Sequence, residues 1–369
     1  MKSRLSAWPY FDESQINAVS EVLKTGKVNY WTGENTKKFE KEFAKFVQTK
    51  YATAVSNGTV ALELAYRACG IGKGDEIITT SRTFLATSTA AMTLGAIPIF
   101  IDVDTESGNI NPKEIEKYIT KKTKAISIVH FAGWPADVIE ISLIAKKNGL
   151  FLIEDCSQAH GAKVLYKNEF KSVGSFGDVS TWSFCQDKII TTGGEGGMVT
   201  TSSKKIWQKV WSYKDHGKNY EIVFNNEHNP GFRWLHDAIG SNYRITEMQS
   251  SIGIIQLKNL NEWIEIRNRN ANILIECLSD CEIIRIPKVS RNIIHAYYKF
   301  YCYLKLEMLN IDWNRELSIV EGPLDLLKTN DNATCLLGSA LNEDFKLFQK
   351  IVDNKTDIGN DKTKKLGRL

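Results

Sequence analysis

The sequence predicts an α/β protein: a mostly parallel sheet sandwiched by helices, followed by a smaller C-terminal α+β domain. Three observations carry this. Through the first two-thirds of the chain, short β-rich runs alternate with helical stretches, the pattern of strands crossed over by helices. Some runs, Ile97 to Ile101 among them, are apolar almost throughout, as in strands buried on both faces. Near residue 245 the alternation gives way to one long periodic stretch.

The elements follow in order. Tyr51 to Val55 reads as a strand, and Thr59 to Cys69 as the helix after it. Glu76 to Thr80 is strand-like, and Leu85 to Leu94 is a helix ended by Gly95. Ile97 to Val103 is the next strand. Pro112 to Ile119 is a helix with proline at its start, where the missing N–H costs nothing. Strand Ala125 to Val129, helix Ala136 to Asn148, strand Leu150 to Ile153 and strand Val179 to Phe184 continue the series. Thr246 and Glu247 suit a cap and a first-turn acid. From there Met248, Ile252, Ile255 and Leu260 recur at helical spacing, and the helix runs to about Cys277. Tyr297 to Leu306 reads as an aromatic strand. A boundary near 250 divides a large domain, residues 1–249, from a small one, residues 250–369. From about Lys328 the chain has little to bury, and Asp353 to Leu369 has no aromatic residue; a frayed or disordered tail is expected.

Composition narrows the function. Of 369 residues, 43% are hydrophobic and 24% charged, which are globular values. Lys plus Arg is 47 and Asp plus Glu is 43, so the excess of four does not point to nucleic acid or membrane surfaces. No apolar run approaches the roughly 20 residues of a membrane span. The start, Met1 to Trp8, lacks the apolar core of a secretion signal, so a cytoplasmic location is expected. The seven cysteines are scattered and read as reduced thiols; Cys277 and Cys281 have no second pair with which to build a zinc site, and no metal is expected.

Three segments carry chemistry. Ser56-Asn57-Gly58-Thr59 joins a strand to a helix, and a helix N-terminus offers free N–H groups to a phosphate, although a plain N-cap has the same look. Glu154-Asp155 ends an apolar strand, where open α/β sheets bind ligands; with Gln158 and His160 it suggests a buried acceptor for a protonated heterocycle, or a loop-capping Asp. Ser183-Phe184-Cys185-Gln186-Asp187-Lys188 leads into Gly193-Gly194-Glu195-Gly196-Gly197, a loop of four glycines that lets backbone approach a ligand. A lysine buried there would have its amine pKa lowered and could form imines. Together these are the needs of pyridoxal phosphate: a phosphate cradle, a Schiff-base lysine, an acid for the pyridine nitrogen and a flat group over the ring.

The chain resembles the DegT/DnrJ/EryC1/StrS family of sugar aminotransferases, fold-type-I pyridoxal-phosphate enzymes, from about Trp8 to about Arg315. The resemblance is carried by Asn57-Gly58-Thr59-Val60-Ala61-Leu62, Arg82-Thr83-Phe84-Leu85-Ala86-Thr87, Glu154 to Gly161, Ser183-Phe184 with Lys188, and Gly240 to Glu247. It implies that Lys188 holds the cofactor and moves the proton between Cα and C4′, and that Asp155 keeps the pyridine nitrogen protonated. Gly58, Thr59 and Ser183 bind the phosphate, Phe84 stacks on the ring, and Gln158 lies near its 3-hydroxyl. Asn242 reaches the phosphate in the neighbouring subunit, which makes the enzyme a homodimer with shared sites. Asn29 to Gly33 resembles a loop near the sugar.

The implied reaction takes an amine from glutamate, leaving 2-oxoglutarate, and gives it to a nucleotide-linked 4-keto-6-deoxy-hexose. The product is an amino sugar for surface polysaccharide such as lipopolysaccharide O-antigen. The chain departs from the family in two places. The glycine loop has one residue more than usual, which leaves the role of Glu195 open, and Leu317 to Leu369 does not resemble the family's terminal helix, loop and strand. A disrupted C-terminus would make the chain an impaired remnant, which is one alternative. A sugar dehydratase is another, but those relatives carry His where this chain has Lys188. Gly70 to Gly74 is no dinucleotide fingerprint, because it follows a helix and precedes a strand. Trp31, Trp134, His216 and Trp234 are further candidates for substrate contact.

Overall fold

The structure is a computed structural model and describes residues 9–225 and 236–305. Trp234, Cys335 and the divergent segment from Leu317 onward lie outside the described residues.

The chain opens with two helices, α1 (Glu13–Thr25) and α2 (Asn35–Phe46). α1 is capped by Asp12, whose carboxylate accepts from Ser14 N at 2.9 Å, and ends at Gly26 with φ +67°. There follow β1 (Tyr51–Val55), α3 (Gly58–Ala68), β2 (Glu76–Thr80), α4 (Ala86–Met92), β3 (Ile97–Ile101) and α5 (Pro112–Ile115). Then come β4 (Thr123–Val129), α6 (Val138–Lys147), β5 (Phe151–Asp155), the hairpin β6 (Lys163–Tyr166) and β7 (Glu169–Ser172), β8 (Val179–Ser183) and β9 (Gly197–Thr201). Helices α7 (Lys204–Lys214), α8 (Tyr220–Asn225) and α9 (Glu247–Leu278) precede three two-residue strands: β10 (Ile284–Arg285), β11 (Ile293–Ile294) and β12 (Tyr303–Leu304).

Seven strands form one sheet in the order β1-β9-β8-β5-β4-β2-β3. Only β9 runs against its neighbours, so the sheet is mostly parallel, as the sequence predicts. Alternate residues of its strands enter two apolar clusters: Ala54, Ile78, Ile126, Leu152 and Trp182 one, Val55, Ile77, Ala125, Ile153 and Val179 the other. That alternation puts helices and core on both faces. β3 departs from expectation. It is an edge strand, with Ile97 45% and Phe100 50% exposed, so its apolar run does not mark burial on both faces.

By their contacts the residues fall into two compact units. Among the described residues, those up to 265 with 290–298 form the first, and 266–289 with 299–305 the second. The division falls inside α9, whereas the sequence reading puts a boundary near 250. In the first unit, α9 buries Leu257, Leu260 and Ile264 rather than Met248, Ile252 and Ile255, which are half-buried. Gly253 brings α9 against α2: a Cβ there would stand 2.6 Å from the Phe39 ring. The helix starts with a reciprocal cap between Thr246 and Gln249, Thr246 N–H donating to Gln249 Oε1 at 3.0 Å. Glu247, the expected first-turn acid, is fully buried and caps a different helix: it accepts from Asn35 N and Thr36 N, at 2.6 and 3.0 Å, at the start of α2. In the second unit, β10 pairs antiparallel with β12. The expected strand from Tyr297 is reduced to Tyr303–Leu304, because Tyr297 has φ +44° and its N–H donates to His295 Nδ1 at 2.7 Å, which turns the chain; Leu306 lies outside the described residues.

Candidate active site

Gly58, Asp155 and Ser183 stand at or just beyond the C-terminal ends of β1, β5 and β8, the side where open α/β sheets bind ligands. After β1 the chain reaches Asn57, whose Oδ1 accepts from Val60 N at 2.9 Å and so caps α3. Gly58 and Thr59 begin the helix, where N–H groups lack intrahelical acceptors. Ser183 closes β8 against them. A Cβ on Gly58 would stand 2.6 Å from Ser183 Cβ, so only glycine permits this approach. Gly197, at the start of β9, packs against the Asn57 carbonyl and has no room for a side chain either. The glycines of the β8–β9 loop thus let the chain pack on itself. Thr192 Oγ1 donates to Glu195 O at 2.6 Å, and Gln186 N–H to Gly194 O at 2.9 Å.

Asp155 ends β5 and is 4% exposed. Its Oδ2 accepts from Thr87 Oγ1 at 2.7 Å and its Oδ1 from Ser157 N at 3.1 Å. Thr87 is held in turn: Thr83 Oγ1 lies 2.8 Å from its hydroxyl, and the Tyr66 hydroxyl donates to its carbonyl at 2.7 Å. Because the Thr87 proton is committed to Asp155, Thr83 is the donor to Thr87. Gln158 Oε1 accepts from Ala132 N at 2.8 Å, which fixes the amide with its two N–H donors on the other side.

Lys188 lies on the β8–β9 loop, its side chain 15% exposed, with Nζ 3.3 Å from both Asp187 Oδ2 and Tyr298 Oη. Phe84 is 72% exposed, just before α4. Asn242 is also exposed, on a segment that runs beside the end of β1: Ser56 N–H donates to Tyr243 O at 3.0 Å, and Val55 bridges Arg244. Asn29 holds its own turn, its Oδ1 accepting from Trp31 N at 3.0 Å, and Trp31 packs on Tyr30, Trp211 and Phe224. Trp134 meets His295 edge-on, and His216 is exposed with φ +59°.

Sequence reasoning missed His130, Tyr66, Asp187 and Tyr298; none has a local signal, since each acts through a partner distant in sequence or through a lysine judged alone. His130 belongs to a buried group with Glu154 and Cys156 whose ligand atoms lie within 4.8 Å of one another. Hydrogen bonds already use those atoms. His130 Nδ1 accepts from Ala136 N at 3.0 Å, and its Nε2 faces Glu154 Oε2 at 3.0 Å. Glu154 also accepts from Gly174, Phe176 and Gly177 N–H. Burial pushes the Cys156 thiol well above its ordinary value. The group ties β5 to the turn before β8.

Comparison with known proteins identifies the scaffold. The model of the DegT/DnrJ/EryC1/StrS aminotransferase family matches residues 9–314. The chain belongs to that family. It is 41% identical to the GDP-perosamine synthase of Escherichia coli O157:H7 over 266 residues, 72% of this chain and 68% of that one. It is 35% identical to the dTDP-3-amino-3,6-dideoxy-alpha-D-galactopyranose transaminase of Aneurinibacillus thermoaerophilus over 308 residues, 80% of this chain and 79% of that one. The crystal structure of an aminotransferase from Psychrobacter cryohalolentis superposes with a TM-score of 0.81 at 47% identity, covering 85% of this chain and 80% of that one. This family member is a pyridoxal-phosphate-dependent aminotransferase. Its own residues fit the cofactor. Helix N–H groups and a hydroxyl meet at a cradle that a single Cβ would fill, a buried carboxylate ends β5, and a lysine amine follows β8. Among the described residues no helix is long and apolar enough to cross a membrane.

Proposed function

We propose that this aminotransferase moves an amino group from glutamate to a nucleotide-linked 4-keto-6-deoxy-hexose, acting in the cytoplasm as a homodimer and supplying an amino sugar for surface polysaccharide. This reading is supported by Gly58 against Ser183, by Asp155 at the end of β5 on the same side of the sheet, and by Lys188 on the loop after β8, in a family aminotransferase. The relatives named for GDP-perosamine and for a dTDP-amino sugar support the substrate class and leave GDP and dTDP as the two nucleotides to test.

When bound, pyridoxal phosphate supplies an electron sink for the carbon that carries the amine. The Gly58 and Thr59 N–H groups, at the positive end of α3, bind its phosphate with the Ser183 hydroxyl. Asp155 holds a proton on the pyridine nitrogen, and its hydrogen bonds from Thr87 and Ser157 keep it aimed. Phe84 stacks on the ring, and Gln158 donates toward the 3-hydroxyl. Lys188 Nζ takes the proton from Cα of glutamate and delivers it to C4′; with the keto-sugar it runs the same transfer in reverse. Asn242 reaches the phosphate bound to a second copy, and the exposed Leu85 and Ile239 suit a covered surface. The free cysteines among the described residues suit a reducing compartment.

The test is an absorbance spectrum of the purified chain with pyridoxal phosphate, before and after glutamate. A visible band that bleaches with glutamate, followed by amine transfer to a GDP- or dTDP-linked 4-keto-6-deoxy-hexose, is expected. A band indifferent to glutamate, or bleaching without transfer to either sugar, overturns the donor or the acceptor respectively.

A further inference from the structure

Two side chains that no cofactor group requires converge on the Lys188 amine. Asp187 is its neighbour in the chain; Tyr298 comes from far along it. Nζ lies 3.3 Å from Asp187 Oδ2 and 3.3 Å from Tyr298 Oη, and the tyrosine hydroxyl donates to that same carboxylate oxygen. The three polar atoms close a triangle. The ring itself also faces the amine, with Nζ 5.0 Å from its centroid.

Tyr298 is delivered there by backbone. β11 pairs with β6, matching Ile293 with Val164, and Ala296 N–H then donates to Gly133 O at 2.8 Å. Gly133 has φ +92°, and a Cβ on it would stand 3.0 Å from both Tyr297 N and Tyr298 N. Its neighbour Ala132 is the residue that fixes Gln158. The segment that carries Tyr298 is therefore seated on the site's own wall. Burial alone would raise the Asp187 carboxyl, but the Tyr298 hydroxyl and the Lys188 charge outweigh it and hold the group below the usual carboxylate range. With its one proton given to Asp187, the phenol turns lone pairs toward the ammonium.

We propose that Asp187 and Tyr298 are positioning residues for Lys188, a carboxylate–phenol brace that holds the amine beside the site when it is not covalently engaged and faces the charge it gains on accepting a proton. The proposal rests on Lys188 being the cofactor lysine. The brace returns the amine to one place in each turnover and steadies the ammonium that forms once the amine has taken the Cα proton. The titratable groups around it are Lys188, Tyr298, Cys185 and, beside that thiol, Glu195.

The test reads the amine directly. Full-length protein freed of cofactor is treated with acetic anhydride from about pH 6 to about pH 10, below the ordinary lysine value of about 10.4. Acetylation of Lys188 is then followed by peptide mass spectrometry against an exposed lysine such as Lys167. Asp187→Asn removes a negative charge from a partly exposed pair, so Lys188 should acetylate about threefold faster near neutral pH. Tyr298→Phe keeps the ring and loses the acceptor, and should shift the profile the same way by about twofold. The double variant should do no more than Asp187→Asn, because both act through one carboxylate. A profile unchanged in either single variant overturns the brace, as does full additivity. Borohydride trapping of pyridoxal phosphate on wild-type protein is run alongside. Failure to trap it at Lys188 sinks the cofactor assignment and leaves the acetylation contrast readable.

Discussion

The two ends of the candidate site are built from different materials. At the phosphate end the elements are backbone: the first turn of α3, Gly58 pressed on Ser183, and Gly197 pressed on Asn57. At the ring end they are side chains in series, from Thr83 to Thr87 to Asp155. The first end cannot accept one more atom. The second can lose none, because each hydroxyl hands its proton to the next acceptor. An added methyl and a deleted hydroxyl should therefore separate them.

The largest effect belongs to the proposed cofactor lysine. Lys188→Ala should abolish covalent attachment and the visible band, while phosphate-end binding persists as measurable non-covalent affinity by calorimetry. Next, Thr87→Val removes the donor to Asp155, and the loss of a hydrogen bond to a charged group should cost about 1.5–3 kcal/mol in the glutamate half-reaction, read by stopped-flow. Cofactor affinity should change little. Gly58→Ala should do the reverse: overpacking against Ser183 should cost about 1–3 kcal/mol in pyridoxal phosphate affinity and leave the rate at saturating cofactor nearly intact. If both variants hit the same parameter, the division between the ends is wrong. Asn242→Ala should weaken cofactor binding by about 1 kcal/mol, the worth of one hydrogen bond, and only in the dimer, which sedimentation at two concentrations can resolve.

The smallest effect lies outside both ends and serves as a control. Part of the Glu40 side chain reaches the surface, but its carboxyl is enclosed beside β1, where it accepts from Ala54 N at 2.8 Å. Burial pushes it up to about 7 and pushes the facing Lys214 down to about 8. Glu40 thus holds its proton more tightly folded than unfolded. Its contribution to stability is complete below the ordinary carboxyl value and is lost as pH rises through about 7. Relative to wild type, Glu40→Gln should gain about 1 kcal/mol between pH 5 and pH 8 in urea melts, with the cofactor band unchanged. A relative loss over that window would reverse the sign.

This contrast also explains what could be read from the sequence. The phosphate end was legible because its signal is local: Asn57-Gly58-Thr59 carries cap, close approach and helix start in three residues. The order of strands and helices from β1 to β5, with β8 after it, was legible for the same reason, while the hairpin β6–β7 was not read. The support of Asp155 was less so, since Thr87 lies 68 residues away and only folding brings it near. Tyr298 was read as part of a strand, because alternating aromatics look alike whether they pair in a ladder or turn at a positive φ. Glu247 shows the limit of helix signals. Its place in the first turn suits its own helix, yet its carboxylate caps α2, whose N-terminal residues are more than 200 positions away. Ile97 to Ile101 reads as a central strand, but strand order, which no local pattern encodes, puts it at the edge.

The most direct measurement is borohydride reduction of the pyridoxal-phosphate-loaded chain, followed by peptide mass spectrometry. The expected result is one cofactor-bearing peptide, modified at Lys188, that disappears when glutamate is added before the reductant. Modification at another lysine, or at none, would contradict the site as built here.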